Sequence, residues 1–215
     1  MYYCPLCQSE DTRHYHTDKR RDYFQCSDCQ LVFVDPAQRL DEQREKAQYD
    51  LHENNSGDEG YRKFLSRLAA PLLKKLPPKS LGLDFGCGPG PTLSLMLSEA
   101  GHSVELYDIY FYPDTGVLQK QYDFITSTEV IEHLYQPGLV WRQWLNSLQP
   151  GGWLGLMTKL VIDVEAFSNW HYKNDPTHVI FFSRQTFEFL AKRDNLELEF
   201  IGNDVILLRK ASNES

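Results

Sequence analysis

Two pairs of cysteines near the N-terminus have the spacing of a metal site. Cys4 and Cys7 form one Cys-x-x-Cys pair, and Cys26 and Cys29 form the second. Each short pair can place two thiolates on one side of an ion, so together they predict a tetrahedral zinc site in a reducing compartment. A disulfide framework is the weaker alternative. Cys87 lies apart in a glycine-rich stretch and is not expected to bind this zinc.

That glycine-rich stretch is a second candidate site. Residues 83–90 read Leu-Asp-Phe-Gly-Cys-Gly-Pro-Gly and join a predicted strand to a predicted helix. Glycines there let the backbone turn tightly and approach a ligand closely. An acid about 20 residues later, Asp108, ends the next predicted strand, where it could bind ribose hydroxyls. A purely structural turn is the alternative. The candidate cofactor-binding residues are Asp84, Gly86, Cys87, Gly88, Gly90, Asp108 and Ile109.

A third group combines carboxylates and imidazoles. Glu129, Glu132 and His133 are spaced i, i+3 and i+4, so a helix beginning near Glu129 would bring them to one side. His178 lies in a polar segment that precedes another predicted helix. Such groups can take a proton from a bound substrate, and we therefore predict His133, His178 and Glu129 as candidate catalytic residues. Packing in the core is the alternative role for the histidines.

The elements that must position these residues follow an alternating pattern. Strands are predicted at residues 81–85, 103–107, 122–126 and 153–158, with helices at 92–100, 138–148 and 183–193 among and after them. Strands at 196–201 and 205–209 form a terminal hairpin. This order predicts an α/β fold with a Rossmann-like, doubly wound, mostly parallel sheet and a C-terminal antiparallel hairpin. The predicted divisions are a zinc ribbon (1–36), a helical linker or cap (37–78) and the α/β domain (79–215).

Composition limits the partners of this chain. Its 215 residues are 41% hydrophobic, which suffices for one α/β domain with a small appendage. A formal charge of −8 makes a nucleic-acid partner unlikely, and no apolar window has the length of a membrane span, so we expect a cytoplasmic protein. The ribbon carries basic residues that could recognise a partner, although stabilisation of the ribbon by zinc is the favoured interpretation. These basic residues are Arg13, Lys19, Arg20 and Arg21.

The spacing of the glycines separates two cofactor classes. A dinucleotide fingerprint requires a glycine at position 91, which is Pro91 here. The acid at Asp84 followed by Gly-x-Gly-x-Gly instead resembles the first motif of class I S-adenosylmethionine-dependent methyltransferases. The resemblance covers residues 79–210 and includes the segments 122–125, 128–134 and 148–152. The N-terminal module resembles that of a bacterial subgroup in which a four-cysteine ribbon precedes a small-molecule methyltransferase domain.

The resemblance implies S-adenosylmethionine as cofactor and a small-molecule acceptor of the methyl group. The alternatives are a nucleic-acid methyltransferase guided by the ribbon and a non-catalytic binding protein. The Glu-x-x-Glu-His grouping is similar to that of ubiquinone-pathway O-methyltransferases and small-RNA 2′-O-methyltransferases, where it holds a divalent ion beside the acceptor oxygen. It implies a candidate ion site at Glu129, Glu132 and His133, with His178 as a further ligand. Other class I methyltransferases carry a similar run without metal.

The chain departs from this family in one segment. Only about 14 residues separate Asp108 from Tyr122, where the family usually has a third strand, a helix and an acid near adenine. We expect those elements to be missing here. Asp108 and Ile109 would then contact ribose and adenine, and the aromatic residues at 110–112 would either supply further surface or pack in the core.

Overall fold

Two β-sheets organise the molecule. The computed structural model describes residues 2–49 and 57–212. In these residues a small sheet has the strand order β1-β2-β3-β8, and a large sheet has the order β5-β4-β6-β7-β10-β9. The strands are β1 (Thr12–Thr17), β2 (Asp22–Cys26), β3 (Val32–Val34), β4 (Leu81–Phe85), β5 (Ser103–Tyr107), β6 (Tyr122–Thr128), β7 (Leu148–Met157), β8 (Ile180–Phe181), β9 (Leu196–Ile201) and β10 (Val205–Lys210).

Helices cover both faces of the large sheet. Leu68 and Leu97 lie in the core between one face and the helices α2 and α3, whereas Trp141 and Leu190 lie in the core that α4 and α6 form on the other. No helix in the described part of the chain combines the length and the apolarity that crossing a membrane requires. The helices are α1 (Glu42–Tyr49), α2 (Glu59–Leu73), α3 (Thr92–Glu99), α4 (Pro137–Ser147), α5 (Val164–Ser168) and α6 (Arg184–Asp194).

The predicted linker region holds two of these helices. Both α1 and α2 lie within residues 37–78, and α2 begins at an N-cap, Asp58, whose side chain accepts a hydrogen bond from the Tyr61 backbone N–H. Residues 50–56 of this region lie outside the described part of the chain.

The large sheet confirms the predicted topology. Strand β4 pairs in parallel with β5 and with β6, and β6 pairs in parallel with β7. Strand β10 pairs antiparallel with both β7 and β9, which forms the predicted C-terminal hairpin. Because the carboxyl ends of parallel strands meet at one edge, the loops after β4, β5, β6 and β7 open on the same crevice.

Strand β5 is at one edge of the large sheet. The absence of a further strand beyond it was predicted from the short interval between Asp108 and Tyr122. Residues 108–121, all of which the structure describes, contain no strand beyond a single bridge between Asp108 and Tyr112. A 3-10 helix at Thr115–Gln119 follows, and the chain returns directly into β6. The tight turn at 108–112 therefore occupies the end of the crevice beside β5.

The N-terminal module shares its core with the rest of the molecule. Its third strand, β3, pairs antiparallel with β8, which lies between β7 and α6 in the chain. Leu31 and Phe33 belong to the same apolar cluster as Trp144 and Phe182. The Gly138 backbone N–H donates to the Pro5 carbonyl at 3.3 Å. The boundary predicted at residue 36 therefore does not separate two hydrophobic cores.

Candidate active site

A cleft of about 1070 Å³ lies along the carboxyl ends of the central strands. One end is lined by the glycine loop after β4 and the turn after β5, and the other by residues that follow β6 and by the segment 171–178. Tyr61 and Phe64 of α2 border it as well. Single small-molecule sites are about 300–1,000 Å³, so this cleft has room for a cofactor and a second molecule side by side.

The glycine loop turns in a way that requires glycine. Gly86 has φ +77° and Gly88 has φ +64°, in the left-handed region that side chains rarely adopt. A Cβ on Gly86 would lie 2.4 Å from the Val130 side chain. The Gly86 N–H donates to the Tyr107 carbonyl at 2.7 Å, which ties the loop to the end of β5. Gly90 is not among the described residues that line the cleft, whereas Cys87 is.

Asp84 holds this loop in place from below. It is buried, and its two carboxylate oxygens accept hydrogen bonds from Ser94 Oγ at 2.7 Å and Thr126 Oγ1 at 2.8 Å. Burial raises the pKa of Asp84 above its ordinary value. Both oxygens are thus engaged within the protein, and Asp84 joins the base of the loop to α3 and β6.

Asp108 links the glycine loop to the turn that ends the sheet. Its Oδ2 accepts a hydrogen bond from the Gly88 N–H at 3.0 Å, and its Oδ1 accepts from the N–H groups of Tyr110 (2.9 Å) and Phe111 (3.1 Å). The carboxylate borders the cleft, and the neighbouring Ile109 is 67% exposed there. The two predicted residues are therefore together at the cleft end where the third strand is missing.

The helix predicted near Glu129 is wrong. Strand β6 ends at Thr128, and Glu129 has φ +53°, with its N–H donating to the Met157 carbonyl of β7 at 2.8 Å. A single 3-10 turn at Ile131–His133 follows. The hydrogen bond to the neighbouring strand fixes a left-handed residue where a helix would start, so the i, i+3, i+4 spacing does not describe one helical face.

Glu132 lies in a buried cluster of hydrogen-bonding groups. The hydroxyl of Tyr172 donates to Glu132 Oε1, and Thr158 Oγ1 donates to Glu132 Oε2 at 3.1 Å. The same Tyr172 hydroxyl lies 3.4 Å from Glu129 Oε2. Burial, with the charge of Glu132 adding to it, raises the pKa of Glu129 to about 8, and burial raises the pKa of Glu132 to about 7. A positive charge placed beside these carboxyls would lower their pKa values and favour the ionised forms.

The two predicted histidines lie together, with ring centroids 4.7 Å apart, and both line the cleft. His178 Nδ1 is 2.7 Å from the Tyr172 carbonyl, and His133 Nδ1 is 3.2 Å from the Thr177 carbonyl. A carbonyl oxygen can only accept, so Nδ1 carries the hydrogen and Nε2 of each neutral ring carries the lone pair. Burial, followed by the charge of His133, lowers the pKa of His178 to about 4, so this ring is neutral at pH 7.

These residues include a candidate metal site, but its possible ligands differ from the predicted set. The ligand atoms of Glu132, His133 and His178 all lie within 4.8 Å of one another. Glu129, which the sequence grouped with Glu132 and His133, does not belong to this set within the described residues. The hydrogen bonds of Thr158 and Tyr172 to Glu132 had no signal in the sequence, because they connect residues 26 and 40 positions apart.

The free energy of unfolding should depend on pH through the protonation of Glu132. Its pKa is higher in the folded chain than its ordinary 4.5, so its stabilisation is complete at low pH and is lost as the pH rises through about 7. We expect Glu132→Gln to reduce this loss by about 1–3 kcal/mol between pH 5 and pH 8.5. Urea unfolding at a series of pH values measures it. Glu188→Gln, at an exposed position of α6, is the control, and equal pH dependence in both variants would contradict the expectation.

The four predicted zinc ligands converge. Cys4 Sγ lies 3.5 Å from Cys29 Sγ, Cys7 Sγ lies 3.5 Å from Cys26 Sγ, and the four sulfur atoms all lie within 4.8 Å of one another. Tetrahedral zinc with Zn–S bonds of about 2.3 Å separates its sulfur ligands by about 3.8 Å. The arrangement and the all-thiol donor set therefore fit one zinc ion. Cys87 is not part of this cluster of described residues.

Comparisons with known proteins agree with this geometry. Residues 51–199 match a family model described as a methyltransferase domain, while no curated protein matches the chain. A putative S-adenosylmethionine-dependent methyltransferase from Methanococcus maripaludis is similar in structure, with a TM-score of 0.53, 13% identity and coverage of 81% of this chain and 95% of that one.

A second similar structure is the 1,6-didemethyltoxoflavin-N1-methyltransferase of Burkholderia thailandensis, solved with its substrate and S-adenosylhomocysteine. Its TM-score is 0.51 at 16% identity, over 93% of this chain and all of that one. A third is the magnesium protoporphyrin IX methyltransferase of Synechocystis PCC 6803 with bound S-adenosylhomocysteine, at a TM-score of 0.50 and 11% identity, over 79% and 94% of the two chains. At these identities the likeness establishes the fold.

Proposed function

The chain belongs to the methyltransferase-domain family, whose model matches residues 51–199, and on that premise we propose that it transfers the methyl group of S-adenosylmethionine to a small-molecule acceptor. The observation that carries the proposal is the single cleft with two chemically different ends. One end has the glycine loop and Asp108, and the other has the paired histidines and Glu129, with Glu132 buried beside the histidines.

The first end suits the cofactor. Gly86 and Gly88 bring backbone to the cleft without side chains in between, and Asp108 can exchange part of its hydrogen bonding for ribose hydroxyls. Ile109, Tyr110 and Phe111 would then provide the apolar surface for adenine that the missing strand provides elsewhere. The cofactor supplies an electrophilic methyl group on a sulfonium. Two similar structures contain its demethylated product, which supports this assignment.

The second end suits an acceptor that must lose a proton. His178 is neutral at pH 7, with its Nε2 lone pair fixed by the bond from Nδ1 to the Tyr172 carbonyl, so it can accept a proton from an acceptor hydroxyl or amine. Glu129 lines the same end and would become charged beside a cationic ligand. Alignment of acceptor and methyl group supplies the remainder of the rate.

A divalent ion is the alternative device at this end. Glu132, His133 and His178 would hold it, and it would lower the pKa of an acceptor hydroxyl as a Lewis acid. Both oxygens of Glu132 already accept hydrogen bonds from Tyr172 and Thr158. That occupancy favours the metal-free role of the histidines.

We also propose one structural zinc per chain, bound by Cys4, Cys7, Cys26 and Cys29. A nucleic-acid acceptor is not favoured, since the basic residues of the module are partly used inside the molecule. Arg21 is buried and donates to backbone carbonyls, and the formal net charge is −8.

Calorimetry with S-adenosylhomocysteine tests the class of cofactor. We expect micromolar binding by the full-length protein, and Asp108→Ala should weaken it by about 1–3 kcal/mol, because charge-assisted hydrogen bonds to ribose are lost. Asp163→Ala, at the N-cap of helix α5 and outside the residues that line the cleft, is the control and should bind as the wild type does. Absence of binding in the wild type, together with clear binding of NAD, would overturn the proposal.

A further inference from the structure

We propose that Arg21 of the N-terminal module is a positioning residue for methyl transfer, because it fixes the segment 172–178 on which both histidines depend. The inference rests on the proposed function and adds to it a role for the module beyond stability. Arg21 lies in the turn between β1 and β2, yet only 8% of it is exposed.

The guanidinium of Arg21 contacts backbone alone in this segment. Its Nη1 donates to the carbonyls of Pro176 (3.3 Å) and His178 (2.9 Å), and its Nη2 donates to those of Asp175 (3.0 Å) and Lys173. A guanidinium is planar and presents five N–H donors in a fixed arrangement. It can therefore hold four carbonyls in one orientation, which an ammonium with three rotating donors cannot do.

Two of the three carbonyls in this segment that Arg21 does not bind orient the histidines. The Tyr172 carbonyl accepts from His178 Nδ1, and the Thr177 carbonyl accepts from His133 Nδ1. The remaining carbonyl, that of Asn174, lies 3.4 Å from Nη1 of Arg20. Every carbonyl from residue 172 to residue 178 is thus bound by an arginine of the module or by an active-site imidazole. Displacement of the segment would break the two Nδ1 hydrogen bonds, and neither ring would then be held in one tautomer.

Two further contacts join the module to the same segment. Lys173, which is buried, forms an ion pair of 2.9 Å with Asp18, and Asp18 also accepts from the backbone N–H groups of Arg20 and Arg21. The Val34 N–H of β3 donates to the Val179 carbonyl, and the Val179 N–H donates to the Glu132 carbonyl, each at 2.9 Å. The module therefore contacts a side chain of the segment, the backbone carbonyls of the segment and Val179, which follows it.

The test compares Arg21→Lys with the wild-type full-length protein. Arg13→Lys is the matched control, because Arg13 lies in the same hairpin but is exposed, and its guanidinium donates to Gln25 Oε1. Imidazole ¹⁵N signals at one fixed pH report the tautomers of His133 and His178, and amide hydrogen exchange reports order in the segment 172–178. Zinc content and the affinity for S-adenosylhomocysteine are measured on the same samples.

We expect Arg21→Lys to keep one zinc and to bind S-adenosylhomocysteine within twofold of the wild type. Its two imidazoles should lose the separation between protonated and unprotonated ring nitrogens, and the segment should exchange at least tenfold faster, whereas Arg13→Lys should match the wild type. Unchanged imidazole signals would overturn the positioning role, as would an affinity loss above tenfold, which indicates general unfolding. If Arg21→Lys does not fold, Asp18→Asn is judged by the same measurements. A wild type that binds no S-adenosylhomocysteine refutes the proposed function, while the imidazole signals still decide the role of Arg21.

Discussion

Replacing Cys26 by Ser is expected to remove the proposed zinc and to abolish cooperative folding of the entire chain. Apparent zinc-binding free energies of four-ligand structural sites are about 10–16 kcal/mol, whereas whole domains are stable by only about 5–15 kcal/mol. Cys26 and Cys29 lie in the same apolar cluster as Trp141 and Trp144 of α4. Loss of the ion would therefore expose the core beneath the large sheet as well as the ribbon.

Elemental analysis and thermal unfolding followed by circular dichroism measure this result. Cys87→Ser is the matched control, because it removes the one cysteine outside the cluster and should retain one zinc per chain. Sequence analysis gave the ribbon a separate domain, which would imply that only this part loosens on chelation. Two separate unfolding transitions, with the second unaffected by chelation, would support a separate ribbon domain and contradict the shared core.

Replacing His178 by Ala is expected to lower kcat for methyl transfer by about 10²–10⁴-fold, the usual contribution of a positioned general base. The affinity for S-adenosylhomocysteine should change little, since His178 lies at the acceptor end of the cleft. An acceptor is first identified by mass spectrometry, with labelled cofactor and a metabolite extract. His14→Ala is the control, because His14 is exposed on β1, where its ring bonds Thr17.

Added magnesium and EDTA separate the two chemical roles of this histidine. With a general base alone, wild-type turnover should be the same in EDTA as in magnesium, and His133→Ala should lose less than His178→Ala. With a divalent ion, EDTA should abolish wild-type turnover while cofactor binding persists. Full turnover by both alanine variants would leave alignment of the reactants as the remaining source of rate.

Local sequence patterns predicted those features of this molecule that are determined by residues close together in the sequence. The cysteine pairs, the glycine loop and the alternation of strands and helices each follow from spacing within about ten residues, and the structure contains all of them. The short interval between Asp108 and Tyr122 likewise indicated the missing strand.

The rest depends on contacts between distant residues. Spacing suggested a helix at Glu129, but a hydrogen bond to Met157 of the next strand fixes a different backbone there. Arg21 was grouped with basic residues that could recognise a partner, whereas the carbonyls that it binds lie more than 150 residues later in the same chain. The roles of the site residues and the zinc stay predictions that the variants above test.

The pairing of β3 with β8 also governs the order in which the newly made chain can fold. About 150 residues separate the paired Val32 and Phe181, and ribosomes translate this length in roughly 7–30 s at about 5–20 residues per second. During that interval the edge of Val-Phe-Val in β3 has no partner strand, and unpaired apolar edges promote aggregation. Early zinc capture, complete once Cys29 has emerged, would hold the nascent hairpin together until its partner strand is synthesised.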